Sequence, residues 1–179
     1  MTTNSQYERA VALIDAANAA DPRQDSDSSG KAAPRELLYG QRMAEMIGRY
    51  APEADDAMKL AVRAQHIERW TVPRASYPEG RIAYLTWRKD LQKLHARRAG
   101  EIMAQCGYSD DDIARTGSLL RKERLKQDAD AQTLEDVICL VFLGFDAEPF
   151  IAKHDDDKVR DILGKTAKKM SPRGLAAAA

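Results

Sequence analysis

The sequence predicts an all-α protein, a single-domain bundle of about six or seven helices. Apolar residues recur at three- and four-residue intervals through most of the chain. No stretch shows sustained two-residue alternation flanked by hairpin turns. The breaks between periodic stretches carry Pro, Gly, Ser and Asp, which stop helices or cap new ones. A length of 179 residues suits one domain large enough to bury a core.

The first helix is expected at Gln6–Ala19, with Ala10, Leu13, Ile14 and Ala17 on one stripe, stopping at Asp21-Pro22. Residues 21–34, rich in Ser, Asp, Gly and Pro, read as a polar linker, the most disorder-prone part of the interior. Arg35–Tyr50 forms a helix through Leu38, Met43, Met46 and Ile47 and breaks at Ala51-Pro52. Pro52 suits the first turn of a third helix running to about Arg69. Trp70–Gly80 is a loop of prolines, aromatics and basic groups. A long helix follows from about Arg81 to Gln105 and stops at Gly107. Ser109, with Asp110–Asp112 on the positive end of the dipole, caps a helix ending near Lys122.

Ala131–His154 is the most apolar segment and reads as the buried central helix, with Pro149 kinking or ending it. Asp155–Met170 is a last amphipathic helix, and Ser171–Ala179 a frayed, flexible tail. The domain is therefore expected to span residues 1–170.

The formal charge is zero, from 28 basic and 28 acidic side chains. No global field then favours a nucleic acid or an anionic membrane, and neither is expected as a partner. Met1–Tyr7 carries no leader pattern, and the longest apolar run, Val137–Leu143, is too short to span a bilayer. The cytoplasm is the expected compartment. Cys106 and Cys139 sit in apolar helical patterns and read as core thiols.

Only three histidines occur. His154 precedes Asp155–Asp157 and reads as a solvated helix end before a helix N-terminus rather than a ligand cluster. His66, in RAQHIERW, lies near the end of the third helix, and His95, in LQKLHARRAG, lies inside the long helix. Asp136 is a carboxylate inside the most apolar helix, where it needs a partner. That partner is either an arginine (Arg42, Arg63 or Arg69) or a functional site. Lys169-Met170-Ser171 looks like the start of the KMSKS signature of class I aminoacyl-tRNA synthetases, but the chain has no parallel-sheet pattern to go with it.

Between Arg69 and Arg98, basic side chains including Arg69, Arg74 and Arg88 alternate with Trp70, Tyr77, Tyr84 and Trp87. Arginines suit phosphate and aromatic faces suit a base. A nucleotide or other phosphorylated small molecule is the expected ligand if this face is more than a solvated surface.

From about residue 36 to 143 the order of elements resembles the HD-domain superfamily of metal-dependent phosphohydrolases. AVRAQHIERW sits where that superfamily has its His-Asp pair. LHARRAGEIMAQCGYSDDDIARTGSLL looks like the stretch with a further histidine, and DADAQTLEDVICLVFL like the one bearing the last aspartate. The resemblance implies an HD-domain-like fold. It implies His66 and Asp136 as ligands of one divalent ion (Mn, Fe, Zn or Mg), which would lower the pKa of a bound water. It also implies His95 as an accessory catalytic group that orients or donates a proton; on this hypothesis the basic residues Arg69, Arg74 and Lys122 would meet the phosphate. Two positions depart from the pattern: Tyr39 stands near the place of an early histidine, and Ile67 replaces the aspartate after His66. Glu36, Glu68 or Glu135 would have to supply missing ligands.

The segments IDAANAADP, ELLYGQRM, RAQHIERW, VPRASYP, YLTWRKDL, LEDVICLVFL and KKMS span Ile14 to Ser171. They resemble the family catalogued as domain of unknown function 4202, which implies no particular activity. The sequence thus supports two hypotheses. One is a divergent HD-like protein that binds, and hydrolyses, a phosphorylated ligand. The other is a non-catalytic binding or adaptor domain, in which His66 and Asp136 form a hydrogen-bonded structural pair and residues 70–80 are the interaction surface.

Overall fold

The computed structural model of the chain describes residues 5–179. It is all-α apart from one small hairpin, with nine α-helices among the described residues. Helix α1 (Gln6–Ala19) starts at a capping box in which Ser5 Oγ accepts the Glu8 N–H and Glu8 reaches back to the Ser5 N–H. Helix α2 is Arg35–Tyr50, α3 is Asp56–Arg63 and α4 is Arg81–Gln105. Helix α5 is Asp110–Leu120 and α6 is Ala129–Val141; a wide π-turn over Phe142–Asp146 leads into α7 (Ala147–Ile151). Helices α8 (Asp156–Ala167) and α9 (Pro172–Ala178) complete the chain. No helix among the described residues is long and apolar enough to cross a membrane.

Helix α3 packs among α1, α2 and α5, and α6 lies against α2 and α9. The core draws Ile14 from α1, Met43 from α2, Leu60 from α3 and Met103 from α4. Leu119 and Leu120 of α5 and Leu134, Val137 and Val141 of α6 complete it, all nearly inaccessible. Both cysteines are buried there, and burial pushes the Cys139 thiol up to about 11.

Several expectations need correction. Residues 21–34 are an antiparallel hairpin, β1 (Gln24–Ser26) with β2 (Ala32–Pro34), rather than a disorder-prone linker. Its turn closes because Asp27 Oδ1 accepts from the Ser29 and Lys31 backbones and the Ser29 hydroxyl, while Gly30 takes φ +81°. Two strands of three residues are too short to show alternation in the sequence. The third helix starts at Asp56, with Asp55 as its cap, and ends at Arg63 instead of Arg69. Beyond it the chain tightens into three-residue turns, the Gln65 N–H reaching the Val62 carbonyl and the Ile67 N–H the Ala64 carbonyl, up to Glu68, which is left-handed at φ +53° with its N–H held by buried Asn18.

The central helix changes pitch at Phe142, upstream of Pro149, since wider turns absorb the loss of the proline N–H. The tail is not frayed: Ser171 caps α9 by accepting the Gly174 N–H, and Gly174 is buried.

Candidate functional site

The hairpin folds back onto the start of α2. Pro34 offers that helix no side-chain cap. Asp21 supplies the cap from a distance, its Oδ2 accepting the Glu36 N–H at 3.1 Å. The same carboxylate grips Arg23 through three further bonds, one from its backbone N–H and two from its guanidinium, at 3.0 Å each, and Arg23 also donates to Glu36 at 2.7 Å. One buried carboxylate therefore fixes both the hairpin and the first turns of α2. The exposed rim is tied in the same way, because Arg42 donates to Asp25 and to the Ser26 carbonyl.

Arg35, Glu36, Tyr39 and Arg42 recur at helical spacing and share one face of α2. That face forms a wall of a cavity of about 360 Å³, completed by Arg23, Asp25, His66, Arg69, Trp70, Arg74, Trp87 and Asp146 among others. Five arginines meet three carboxylates there. Arg23 and Arg42 are matched by Asp21, Glu36 and Asp25. Arg35, Arg69 and Arg74, by contrast, pair with no carboxylate among the described residues. Arg74 is held by the carbonyls of Tyr77 and Pro78. Arg69 lies 5.1 Å from the centroid of the Trp87 ring, whose indole N–H donates to the Val72 carbonyl. Burial lowers the Arg69 pKa, the mark of a cation taken from water without full compensation.

His66 sits at the floor. Its ring stacks on Tyr39 with centroids 4.0 Å apart. Nδ1 lies 3.2 Å from a Glu36 oxygen and Nε2 lies 2.9 Å from the Arg69 guanidinium. A carboxylate can only accept and a guanidinium can only donate, so Nδ1 carries the proton and Nε2 the lone pair. Burial, reinforced by the Arg69 charge, brings the His66 pKa down to about 4, so the ring is neutral. Burial would push Glu36 up, but the hydrogen bonds from His66 and Arg23 outweigh it and hold its pKa below the usual carboxylate range.

His66 and Arg69 also line a smaller recess of about 100 Å³, together with Gln65, Arg88, His95 and Lys122 among others. His95 donates from Nδ1 to the Ile67 carbonyl at 2.8 Å, and burial brings its pKa down to about 3. A neutral His95 with Nδ1–H committed offers an acceptor at Nε2, not a proton. Lys122 ends α5 in left-handed backbone, φ +56°, and its ammonium lies 2.9 Å from buried Glu135.

The structure thus gathers Arg69, Arg74 and His66 at the larger cavity, and His66, Arg69, His95 and Lys122 at the smaller one. Asp136 lines neither. Its oxygens accept from the Tyr50 hydroxyl, the Gln132 amide and both the N–H and hydroxyl of Ser171. Its partners are therefore none of the arginines Arg42, Arg63 and Arg69, and His66 and Asp136 share no hydrogen-bond partner. They are therefore not a hydrogen-bonded structural pair.

The ligand set implied for a divalent ion does not fit these residues. His66 turns its lone pair to a cation, Asp136 is fully engaged elsewhere, and Glu135 neutralises Lys122. No three His, Cys, Asp or Glu side chains among the described residues come together to hold a metal. His154 is exposed, donating to the Phe150 carbonyl and stacking on its ring.

Sequence reasoning missed Arg23, Asp25, Arg35, Arg42 and Asp146. Two of these carried a clear signal: Arg35 and Arg42 stand one heptad apart around Glu36 and Tyr39, a polar stripe on a half-buried helix. The geometry defines an all-α protein with a cationic, aromatic-walled cavity. Residues 8–179 match the family described as Domain of unknown function (DUF4202), and the chain belongs to that family. No curated protein and no solved structure matches it.

Proposed function

We propose that this protein binds a phosphorylated small molecule in the arginine-lined cavity. The observation that carries this reading is the convergence of Arg35, Arg69 and Arg74, three guanidinium groups without carboxylate partners, on one cavity. Cations brought together at a half-enclosed site repel one another, and an incoming oxyanion relieves that repulsion while accepting several charge-assisted hydrogen bonds. Trp70 on the cavity wall offers a flat apolar face, so a nucleotide fits better than a bare sugar phosphate.

A phosphate-bearing ligand agrees with the HD-domain resemblance. The metal-assisted half of that resemblance has no ligand set to support it. The binding reading therefore stands without hydrolysis.

The test is calorimetric titration with AMP, ATP and pyrophosphate, in EDTA, against wild type and an Arg35→Ala/Arg74→Ala double variant. Saturable binding is expected in wild type. Each arginine contributes roughly 1.5–3 kcal/mol as a charge-assisted donor, so the double variant should lose at least about a hundredfold in affinity. Neither arginine has an ion pair and Arg74 loses only hydrogen bonds to the Tyr77 and Pro78 carbonyls of its own loop, so the circular dichroism should hold and the melting temperature should fall only slightly. Absence of binding at millimolar ligand, or equal binding by the double variant, would overturn the proposal.

A further inference from the structure

We infer that the smaller chamber that shares His66 and Arg69 with the larger cavity is a second anion subsite, built for a further phosphoryl group of the same ligand. This rests on the phosphate-binding reading and narrows its ligand to a diphosphate-bearing molecule.

Three independent features point to an occupant. Gln65 lines the chamber with only 7% of its surface exposed, and its Oε1 is buried without a hydrogen-bond partner. A buried amide oxygen left unpaired costs on the order of 1–3 kcal/mol, and in a folded protein it wants an explanation.

Lys122 is the second feature. The Glu123 N–H reaches the Ser118 carbonyl and the Lys122 N–H the Leu119 carbonyl, so Lys122 holds the left-handed position that ends a helix. That position normally falls to glycine, since a side chain there is strained. The strained backbone delivers an ammonium into the chamber wall, steadied by Glu135. The third feature is charge. Arg69, Arg88 and Lys122 all line the chamber, and only Lys122 has a carboxylate partner. Arg88 instead stands over the Tyr84 ring.

The donor set matches a phosphoryl group. The cations donate to its oxygens, and the O–H of a monoprotonated phosphoryl donates a hydrogen bond to Gln65 Oε1 or to the lone pair of neutral His95. The chamber volume is several times what one water needs. His66 and Arg69 line both spaces, so a ligand with adjacent phosphoryl groups reaches both across that shared wall. Arg69 is held only by a neutral imidazole and an indole face, and it can turn to grip the bridging oxygens.

The experiment compares inorganic pyrophosphate with orthophosphate by calorimetry, on wild type, Lys122→Met and Gln65→Met. Wild type should bind pyrophosphate at least about tenfold more tightly. In both variants that ratio should fall toward one. Gln65→Met guards against misfolding, because replacing an amide that lacks a partner should leave the melting temperature unchanged or higher. A ratio near one in wild type, or a ratio that survives both substitutions, overturns the second subsite while phosphate binding itself stands. If neither anion binds to wild type, the phosphate-binding reading falls and the subsite with it.

Discussion

Replacing Asp136 by Ala should destabilise the protein by about 3 kcal/mol while leaving ligand affinity in the folded protein unchanged. Asp136 is 2% exposed and accepts four hydrogen bonds. Its loss leaves the buried Tyr50 hydroxyl and the Ser171 N–H without an acceptor, and each carries a desolvation penalty of about 1–3 kcal/mol. The same carboxylate latches the C-terminal helix. Ser171 binds it through main chain and hydroxyl, and Arg173 reaches back over the Tyr50 ring, at 4.4 Å from its centroid, to the Tyr50 carbonyl.

The fit is close enough that a Cβ built on Gly174 would lie 2.6 Å from Asp136 Oδ1. Gly174→Ala should therefore destabilise in the same direction by a smaller amount, as α9 is pushed off its seat. Urea denaturation gives the size of both effects, and hydrogen exchange should show residues 172–178 opening first in each variant. Wild-type stability in Asp136→Ala would contradict the latch. Loss of a bound divalent ion at unchanged stability would return Asp136 to the ligand role implied by the HD-domain resemblance.

The helices that sequence periodicity located best are those with chemistry at both ends. Helix α2 ran between the polar segment and Ala51-Pro52, and α4 between Gly80 and Gly107; both have the bounds expected of them. Where prediction failed, the deciding partner was distant in the chain. No glycine or proline within residues 64–68 marks the end of the third helix, and the left-handed turn at Glu68 that redirects the chain after it is held by Asn18, fifty positions away. Nothing within Ser171–Ala179 makes a helix dock there, because the acceptor that holds it is Asp136. The hairpin escaped notice since its strands are three residues long and its anchor, Asp21, bonds to α2.

The site was legible in the same uneven way. Arg69, Arg74, His66, His95 and Lys122 attracted attention as rare or clustered residue types, and all five line one or both cavities. Their roles were less legible, because roles depend on which lone pair faces which charge. Asp136 looked like the chemical residue of its helix, yet its neighbour Glu135 is the one that pairs with a site cation. Adjacent helical positions point about 100° apart, and the resemblance alone did not say which of the two faces inward. Arg23 carried only a weak local signal, Asp21 two positions before it, and its contact to Glu36 is set by the tertiary fold.

Stability should fall steeply on mild acidification, by about 3–4 kcal/mol between pH 7.5 and pH 5. His66 and His95 both have folded pKa values held far below the ordinary 6.5, at about 4 and about 3, because burial penalises the imidazolium. For a histidine with a depressed pKa, the unfolded chain binds the proton first. Stability is therefore intact above about pH 6.5, declines as pH falls toward the folded values, and levels off below them. At pH 5 each ring contributes roughly 2 kcal/mol to the loss, somewhat less for His66, whose side chain keeps 23% exposure.

The charges facing His66 are Glu36, which favours the imidazolium, and Arg69 and Lys122, which oppose it. His95 faces His66 and Arg69 on the opposing side, and the Ile67 carbonyl and Glu36 on the favouring side. Glu36 itself has a lowered pKa, so its contribution is present above its unfolded value and is lost only at still lower pH. Urea midpoints across this range should trace the decline in wild type and a shallower one in His95→Gln, which keeps a donor for Ile67 and removes one titration. A stability curve flat from pH 7.5 to pH 5 would mean that the two rings accept protons in the folded state, and with it that Nε2 of His66 is not the acceptor Arg69 requires.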